Sequence, residues 1–353
     1  MKVCYFGIYK PTYTRNSTLM RGLKENGVEV IECNTRQVSN AKYWQLIKRH
    51  QQIRHDYDVM VVGFPGQTII PLAWLLAKLN RKKIIFDAFV SLYDSVILDR
   101  KQYSKKSLKA LKYWLLDWLS CQLADQILLD ADEHIKYFIQ TFKIKPKKFN
   151  RILISCDDSV MYPRDNKISR DYFLVHFHGT YIPIQGIEYI IEAAKILKEE
   201  NIKFNLIGRI SDYKPEIDKA KAWGVTNINF IDFLPYEKLA EHIAEADICL
   251  GMFGKTEKAL RCGAFKITEA MAMKKAVITG DTPAMREFLK DKESILFCQM
   301  ANGQDLADKI LELKNNPELR NKIAVGAYQV YQNYLTPKAT AAELIKVINK
   351  IIK

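Results

Sequence analysis

The stretch "DICLGMFGKTEKALRCGAFKITEAMAMKKAVITG", residues 247–280, holds one complete strand–loop–helix–strand unit. "DICLGMFG" is an apolar run suited to a strand buried on both faces, "FKITEAMAM" reads as a helix, and "KAVIT" is a second buried strand. Two such strands joined through a helix lie parallel, which sets the fold class as α/β. The connection is unusually basic. Lys258 and Arg261 precede the helix, and Lys266 sits in its first turn, where the macrodipole already disfavours a cation by a few tenths of a kcal/mol. Glu269 follows one turn later on the same face. A bound anion would neutralise this arrangement. Free helix N–H groups with Lys258, Arg261 and Lys266 suit a diphosphate, and the acceptor-only carboxylate of Glu269 suits a ribose diol. The alternative is a solvated basic loop with Glu269 as a favourable first-turn acid.

The same alternation extends in both directions. Upstream of residue 165, strands "KVCYFGI", "VEVIECN", "DVMVVGF", "KKIIFDAF", "DQILLD" and "NRILISC" alternate with helical segments, among them "LMRGLKENG" after the loop "YKPTYTRNST". Downstream, "YFLVHFHG", "KFNLIG", "NINFIDF", "DICLGMF" and "KAVIT" repeat the pattern. The expected architecture is two doubly wound Rossmann-like parallel sheets facing a cleft, joined near "MYPRDNKIS" (161–169). Residues 1–165 are expected to form an N-terminal domain and 166–335 a C-terminal one, with helix 336–353 packing back across the join.

Composition narrows the function. A chain of 353 residues fits two domains, and 48% hydrophobic content is that of a globular protein. The longest apolar run, "TIIPLAWLLAKL" (68–79), has 12 residues against about 20 needed to span a bilayer. No secretory signal is evident at "MKVCYFGIYK". Seven scattered cysteines without a C-x-x-C pair read as buried thiols of a cytoplasmic protein. The net charge of +14 is uneven: 27 Lys+Arg against 16 Asp+Glu in residues 1–165, and 27 against 24 thereafter. The first half therefore faces something negative, with solubility alone as the plain alternative. Zinc-finger spacing, RNP-type aromatics and basic zippers are all missing, so nucleic acid is not the expected partner.

"FKITEAMAMKKAVITGDTPAMREFL" resembles the donor-binding segment of the retaining GT-B glycosyltransferases of family 4. "FHGTYIPIQGIEYIIEAAKIL", "FNLIGR", "NINFIDFLPYEKLAEHIAEADICL" and "ADQILLDADEHIKYFIQTFKIKPKKFNRILISCDDSVMYP" resemble other pieces of that family in the expected order. The likeness is strong over about 125–335 and thinner over 1–124. It implies that Glu269 binds the ribose, Lys266 the diphosphate, and the backbone near Phe233 and Leu234 the base of a nucleotide-diphosphate sugar. It further implies a metal-free reaction that retains anomeric configuration, with no cofactor beyond the donor. Two departures stand out. Arg261 occupies the position of the family's first Glu in E-x7-E, and the family's "GR…K" loop reads "GTYIPIQG" here, with Gly179, Thr180 and Gln185. We read these as charge moved across one site, with Lys258, Arg261 and Lys266 replacing the missing pair; the alternative is a donor site that has lost activity.

For the acceptor side, Asp87 in "FDAFVSLYD" and Asp94 close behind are candidates to orient a hydroxyl, and His178 beside Gly179 is a second candidate catalytic group, or else a structural histidine. Arg15, just before a cap at Asn16, Ser17 or Thr18, either reaches the diphosphate or is a surface arginine. "DAD" (130–132) mimics a metal motif, but Asp132 reads as a helix cap. The segment 101–123, with Lys101, Lys105, Lys106, Lys109 and Lys112 beside Trp114, Leu115, Trp118 and Leu119, suits an interfacial helix on anionic lipid; the alternative puts its Trp residues in the core. The expected enzyme transfers sugar to a glycan or lipid-linked acceptor in cell-surface polysaccharide or glycolipid synthesis, peripheral at the inner face of the membrane. Rivals are a nucleotide-sugar epimerase or hydrolase of the same fold, and a non-catalytic basic membrane-surface protein.

Overall fold

The computed structural model describes residues 1–37, 39–164 and 170–352. It divides into two units, Met1–Ser155 with Leu335–Lys353, and Cys156–Tyr334. Unit 1 begins with β1 (Lys2–Gly7), α1 (Thr14–Glu25), β2 (Glu29–Asn34), α2 (Ala41–Ile53), β3 (Val59–Val62) and α3 (Ile70–Leu79). It continues with β4 (Lys83–Asp87), α4 (Leu108–Leu123), β5 (Gln126–Leu129), α5 (Asp132–Phe142) and β6 (Phe149–Arg151). Unit 2 runs β7 (Phe173–His178), α6 (Ile187–Ile196), β8 (Ile202–Ile207), α7 (Ile210–Ala222), β9 (Ile228–Ile231), α8 (Tyr236–Glu245) and β10 (Ile248–Leu250). It then runs α9 (Phe265–Ala272), β11 (Ala276–Gly280), α10 (Pro283–Arg286), β12 (Leu296–Cys298), α11 (Gly303–Asn315) and α12 (Pro317–Val330); α13 (Pro337–Ile351) returns the chain to unit 1.

Each unit carries a six-stranded sheet, ordered β2-β1-β3-β4-β5-β6 and β12-β11-β10-β7-β8-β9, and every pairing is parallel. Central strands such as Val59–Val62 are buried along their whole length, as sheets covered on both faces require. In unit 2, Val175, Phe177, Phe204, Leu250 and Ile278 pack with Ile190, Ile191 and Ile310 of the covering helices. In unit 1, Ala341, Leu344, Val347 and Ile348 of α13 share a core with Leu19 and Leu23 of α1. A methyl group added at Gly22 would lie 1.9 Å from the Pro337 carbonyl oxygen, so α1 and α13 cross too closely there for any side chain.

Three local expectations are corrected. The units divide at Ser155 and Cys156, before the expected join, because Cys156 is buried in unit 2 with its Sγ 3.5 Å from Tyr331 Oη; residues 165–169 of the expected join lie outside the described residues. Helix α1 starts at Thr14 rather than after the polar run. Asn16 does not cap it: its Oδ1 accepts from Tyr5 Oη (3.0 Å) and Phe64 N–H (3.1 Å), fixing the next loop instead. Asp132 lies inside α5, with Ala131 as cap, and pairs with Arg151 at 2.9 Å.

Only 108–123 of the basic segment is helical. Trp114 and Trp118 stack on each other at 6.1 Å and pack against the unit 1 core, Trp114 at 5.7 Å from Phe142. The exposed stripe of α4 is leucine: Leu108 (85% exposed), Leu111 (53%), Leu115 (43%) and Leu119 (37%). All seven cysteines are buried free thiols. Among the described residues, no helix is long and apolar enough to cross a membrane.

Candidate active site in the second unit

Parallel α/β sheets hold ligands at the carboxyl ends of their strands. There, in unit 2, β7 ends at His178, α8 opens with Tyr236, and the loop after β10 leads into α9. Glu269, one turn into α9 and 4% exposed, is gripped on both oxygens: Tyr236 Oη donates to Oε1 at 2.9 Å, and His178 Nε2 lies 2.8 Å from Oε2. His178 Nδ1 in turn lies 2.9 Å from Nε2 of the fully buried His176. Burial, then the nearby His178, His242, Lys266 and Lys275, press the His176 pKa well below the usual range, so this ring is neutral. The chain of bonds is satisfied when His176 Nε2–H donates to His178 Nδ1 and His178 Nε2–H donates to Glu269. Burial and the adjacent Glu269 push the Tyr236 hydroxyl far above its ordinary pKa, so it stays a donor.

Lys266 occupies the first turn of α9, whose cap residue Ala264 offers no side-chain oxygen. The lysine is 6% exposed. Its Nζ donates to Gln185 Oε1 and stands 3.8 Å from the centre of the Phe177 ring. Burial drives its pKa well down, only partly opposed by Glu269. Such a side chain is a cation held against its solvation and against the helix dipole, with a neutral amide as hydrogen-bond acceptor. Gly179 makes room for it: a methyl group there would sit 2.7 Å from Lys266 Nζ, at a φ of +155°. A side chain at that position would block the ammonium group.

Lys258, Arg261 and Lys266 do not share one environment. Lys258 is itself buried, and Arg261 Nη1 lies 4.0 Å from Glu257, whereas Lys266 turns to Gln185 and Phe177. Thr180 is exposed beside Gly179. Phe233 is 74% exposed at the end of the loop after β9, next to the half-buried Leu234. The loop is braced by Asp232, which accepts from the N–H groups of Ile210 (3.1 Å) and Phe233 (2.8 Å).

The unit 1 candidates resolve differently. Arg15 is 1% exposed and is neither a surface residue nor aimed at a ligand. It donates to both oxygens of Asp87 (3.0–3.3 Å) and to the carbonyls of Ile152 and Leu153 at 3.0 Å each. Asp87, expected to orient an acceptor, is instead the counter-ion of that arginine, with 0% exposure. Asp94 is likewise fully buried, opening a π-helical turn (Asp94–Asp99) whose first N–H donates to Ser91 Oγ at 2.9 Å. Among the described residues, no cluster of three or more His, Cys, Asp or Glu is placed to hold a metal ion. Tyr236 escaped sequence reading; an aromatic directly after Pro235 at a helix start was its available signal.

Residues 161–330 match the family model for glycosyl transferases group 1. An uncharacterized glycosyltransferase of Methanocaldococcus jannaschii is 26% identical over 153 residues, covering 43% of this chain and 41% of that relative, so the match spans about two-fifths of its length. The solved Anabaena HepE in complex with UDP superposes with a TM-score of 0.75 at 15% identity, covering 99% of this chain and all of the other. Sucrose-phosphate synthase from Thermosynechococcus elongatus gives 0.76 at 12% identity, with 99% of both chains covered. These structural likenesses establish the GT-B fold. Residues 161–330 thus match a glycosyl transferases group 1 domain, and the chain has the GT-B fold.

Proposed function

We propose that this protein is a retaining glycosyltransferase that moves a sugar from a nucleoside diphosphate donor to a glycan or lipid-linked acceptor. The observation that carries the reading is the buried Lys266 at the start of α9 with Glu269, already fixed on both oxygens, one turn further on. Lys266 and the helix terminus neutralise the diphosphate, and Glu269 accepts from the ribose hydroxyls. The base lies against the Phe233–Leu234 loop, and Gly179 and Thr180 border the phosphates. Lys258 and Arg261 are auxiliary cations on the same loop. In the reaction the C1–O bond to the β-phosphate breaks. The acceptor oxygen bonds C1 on the same face, and its proton passes to the departing β-phosphate oxygen. The protein's share is to stabilise charge growing on the diphosphate and to hold the reactants together. The reaction so written uses no metal or other cofactor. His178 belongs to this machinery as the group that orients Glu269.

UDP, GDP and ADP are the first ligands to test. One of them at ~100 times its Kd should raise unfolding stability by about 2.7 kcal/mol. Melting curves unmoved by all three would overturn the reading. Incubating nucleotide sugars with and without glycan acceptors separates transfer from epimerisation or hydrolysis.

The acceptor side adds a membrane surface as partner. The exposed face of α4 presents Leu108, Leu111, Leu115 and Leu119 with Lys109 and Lys112, and its one acid, Asp117, is buried. Lys101, Lys105 and Lys106 stand exposed just upstream. Leucines flanked by cations without an exposed acid fit an anionic bilayer, each near-surface lysine contributing about 1 kcal/mol. A second copy of the same face would set lysine against lysine. Co-sedimentation with phosphatidylglycerol vesicles should fall in high salt and with Leu111→Ser/Leu115→Ser; equal recovery on neutral vesicles would refute this partner.

A further inference from the structure

We propose that unit 1 holds a separate binding site for a hydroxyl-bearing anion, of the class of a sugar phosphate or an acidic sugar, at the carboxyl end of the edge strand β2. A bowl of about 870 Å³ opens there between the end of β2 and helix α2, lined among others by Glu32, Asn34, Arg36, Gln45 and Arg49. That volume is of the size that holds a small ligand.

Two features give it a chemical preference. The first is charge. Arg36 and Arg49 both line the bowl, and among the described residues neither is paired with a carboxylate. Arg49 is held in place by donating from Nη1 to the Asn34 carbonyl, so one guanidinium is already fixed before any ligand arrives. Paired guanidinium groups suit the oxygens of a phosphate or carboxylate. The second feature is a buried acceptor without a donor. Asn34 is 8% exposed and lines the bowl; its Nδ2 donates to the Tyr9 carbonyl at 2.9 Å, while its Oδ1 has no hydrogen-bond partner among the described residues. A buried acceptor left unsatisfied is costly, and a ligand hydroxyl donating to it would relieve that cost. Gln45, anchored through Oε1 by the Thr35 hydroxyl, donates no hydrogen bond to it. Glu32 accepts from Tyr9 Oη at 3.2 Å and puts one negative charge on the wall, which favours a singly anchored anionic group over a polyanion. Anion and hydroxyl together describe a substituted sugar better than either free phosphate or a neutral sugar.

The inference stands apart from the donor reading, because no residue of unit 2 takes part. On the transferase reading this ligand belongs to the acceptor. Calorimetric titration of the full chain with glucose 6-phosphate, glucose and inorganic phosphate tests it. Glucose 6-phosphate should bind about tenfold more tightly than either of the others, and Arg36→Ala should weaken it by about tenfold, the loss of one charge-assisted contact. Arg36 is exposed, so that variant should keep the parental melting temperature; Arg49→Lys is the second variant and should also weaken binding. Titrations repeated on Lys266→Met should return the parental affinity. Absence of saturable binding in the millimolar range, inorganic phosphate binding as well as glucose 6-phosphate, or binding that survives Arg36→Ala and vanishes in Lys266→Met would each overturn the proposal.

Discussion

Arg15 and Lys266 are both buried cations in the first turn of a helix that follows a parallel strand, one in each unit. Arg15 is answered in full, by a bidentate carboxylate and two carbonyls. Burial weakens its hold on the proton, but Asp87 more than compensates and lifts its pKa above the ordinary value. Lys266 is answered by an amide and an aromatic face, and its pKa moves the other way. A buried charge with a complete set of partners is a structural element. One held short of them has its electrostatics left over for a ligand.

The contrast predicts opposite consequences of removing each charge. Arg15→Ala strands Asp87 in the core and should lower unfolding stability by roughly 3–5 kcal/mol, read by urea denaturation. An unchanged midpoint would erase the distinction. Lys266→Met should do the reverse: stability equal or slightly higher, nucleoside diphosphate affinity down by about 1.5–3 kcal/mol, roughly 10- to 150-fold. Tyr236→Phe leaves Glu269 held by His178 alone and should cost about 0.5–1.5 kcal/mol of the same affinity, with the loss smaller for the 2′-deoxynucleotide. The smallest effect is in proton uptake. Because burial depresses the Lys266 pKa, the free protein sheds that proton at lower pH than an exposed lysine does, and a diphosphate beside it restores the proton. Nucleotide binding should therefore take up a fraction of a proton and weaken as pH rises above the free-state value. Calorimetry in buffers of different ionisation enthalpy measures this, and proton release would contradict it. The same sign makes Lys266 a drain on stability at low pH that is relieved as pH rises.

The sequence was readable where the signal is local. Apolar runs and helical periodicity placed both sheets and α9, and the 247–280 stretch singled out Lys266 and Glu269 as candidates. It was silent where partners lie far apart along the chain. Arg15 and Asp87 are 72 positions apart, and His178 and Glu269 are 91. Nothing in "PTYTRNST" distinguishes a ligand-seeking arginine from one neutralised by a distant strand. The same limit misplaced the start of α1, since Asn16, a good cap by composition, is engaged by the backbone of Phe64, 48 residues away. On α4 the period was legible but not its phase, so the tryptophans and leucines had to be assigned to their faces by the core they meet.

The crossing of α1 with α13 bears on the order in which this chain matures. The first unit to emerge from a ribosome lacks a wall until residues 337–351 have followed, more than three hundred positions after β1, while the intervening unit has all its strands and covering helices to hand. Until then Leu19 and Leu23 of α1 lack the α13 side chains they pack against, and the later-made unit is the earlier one to have its whole core synthesised.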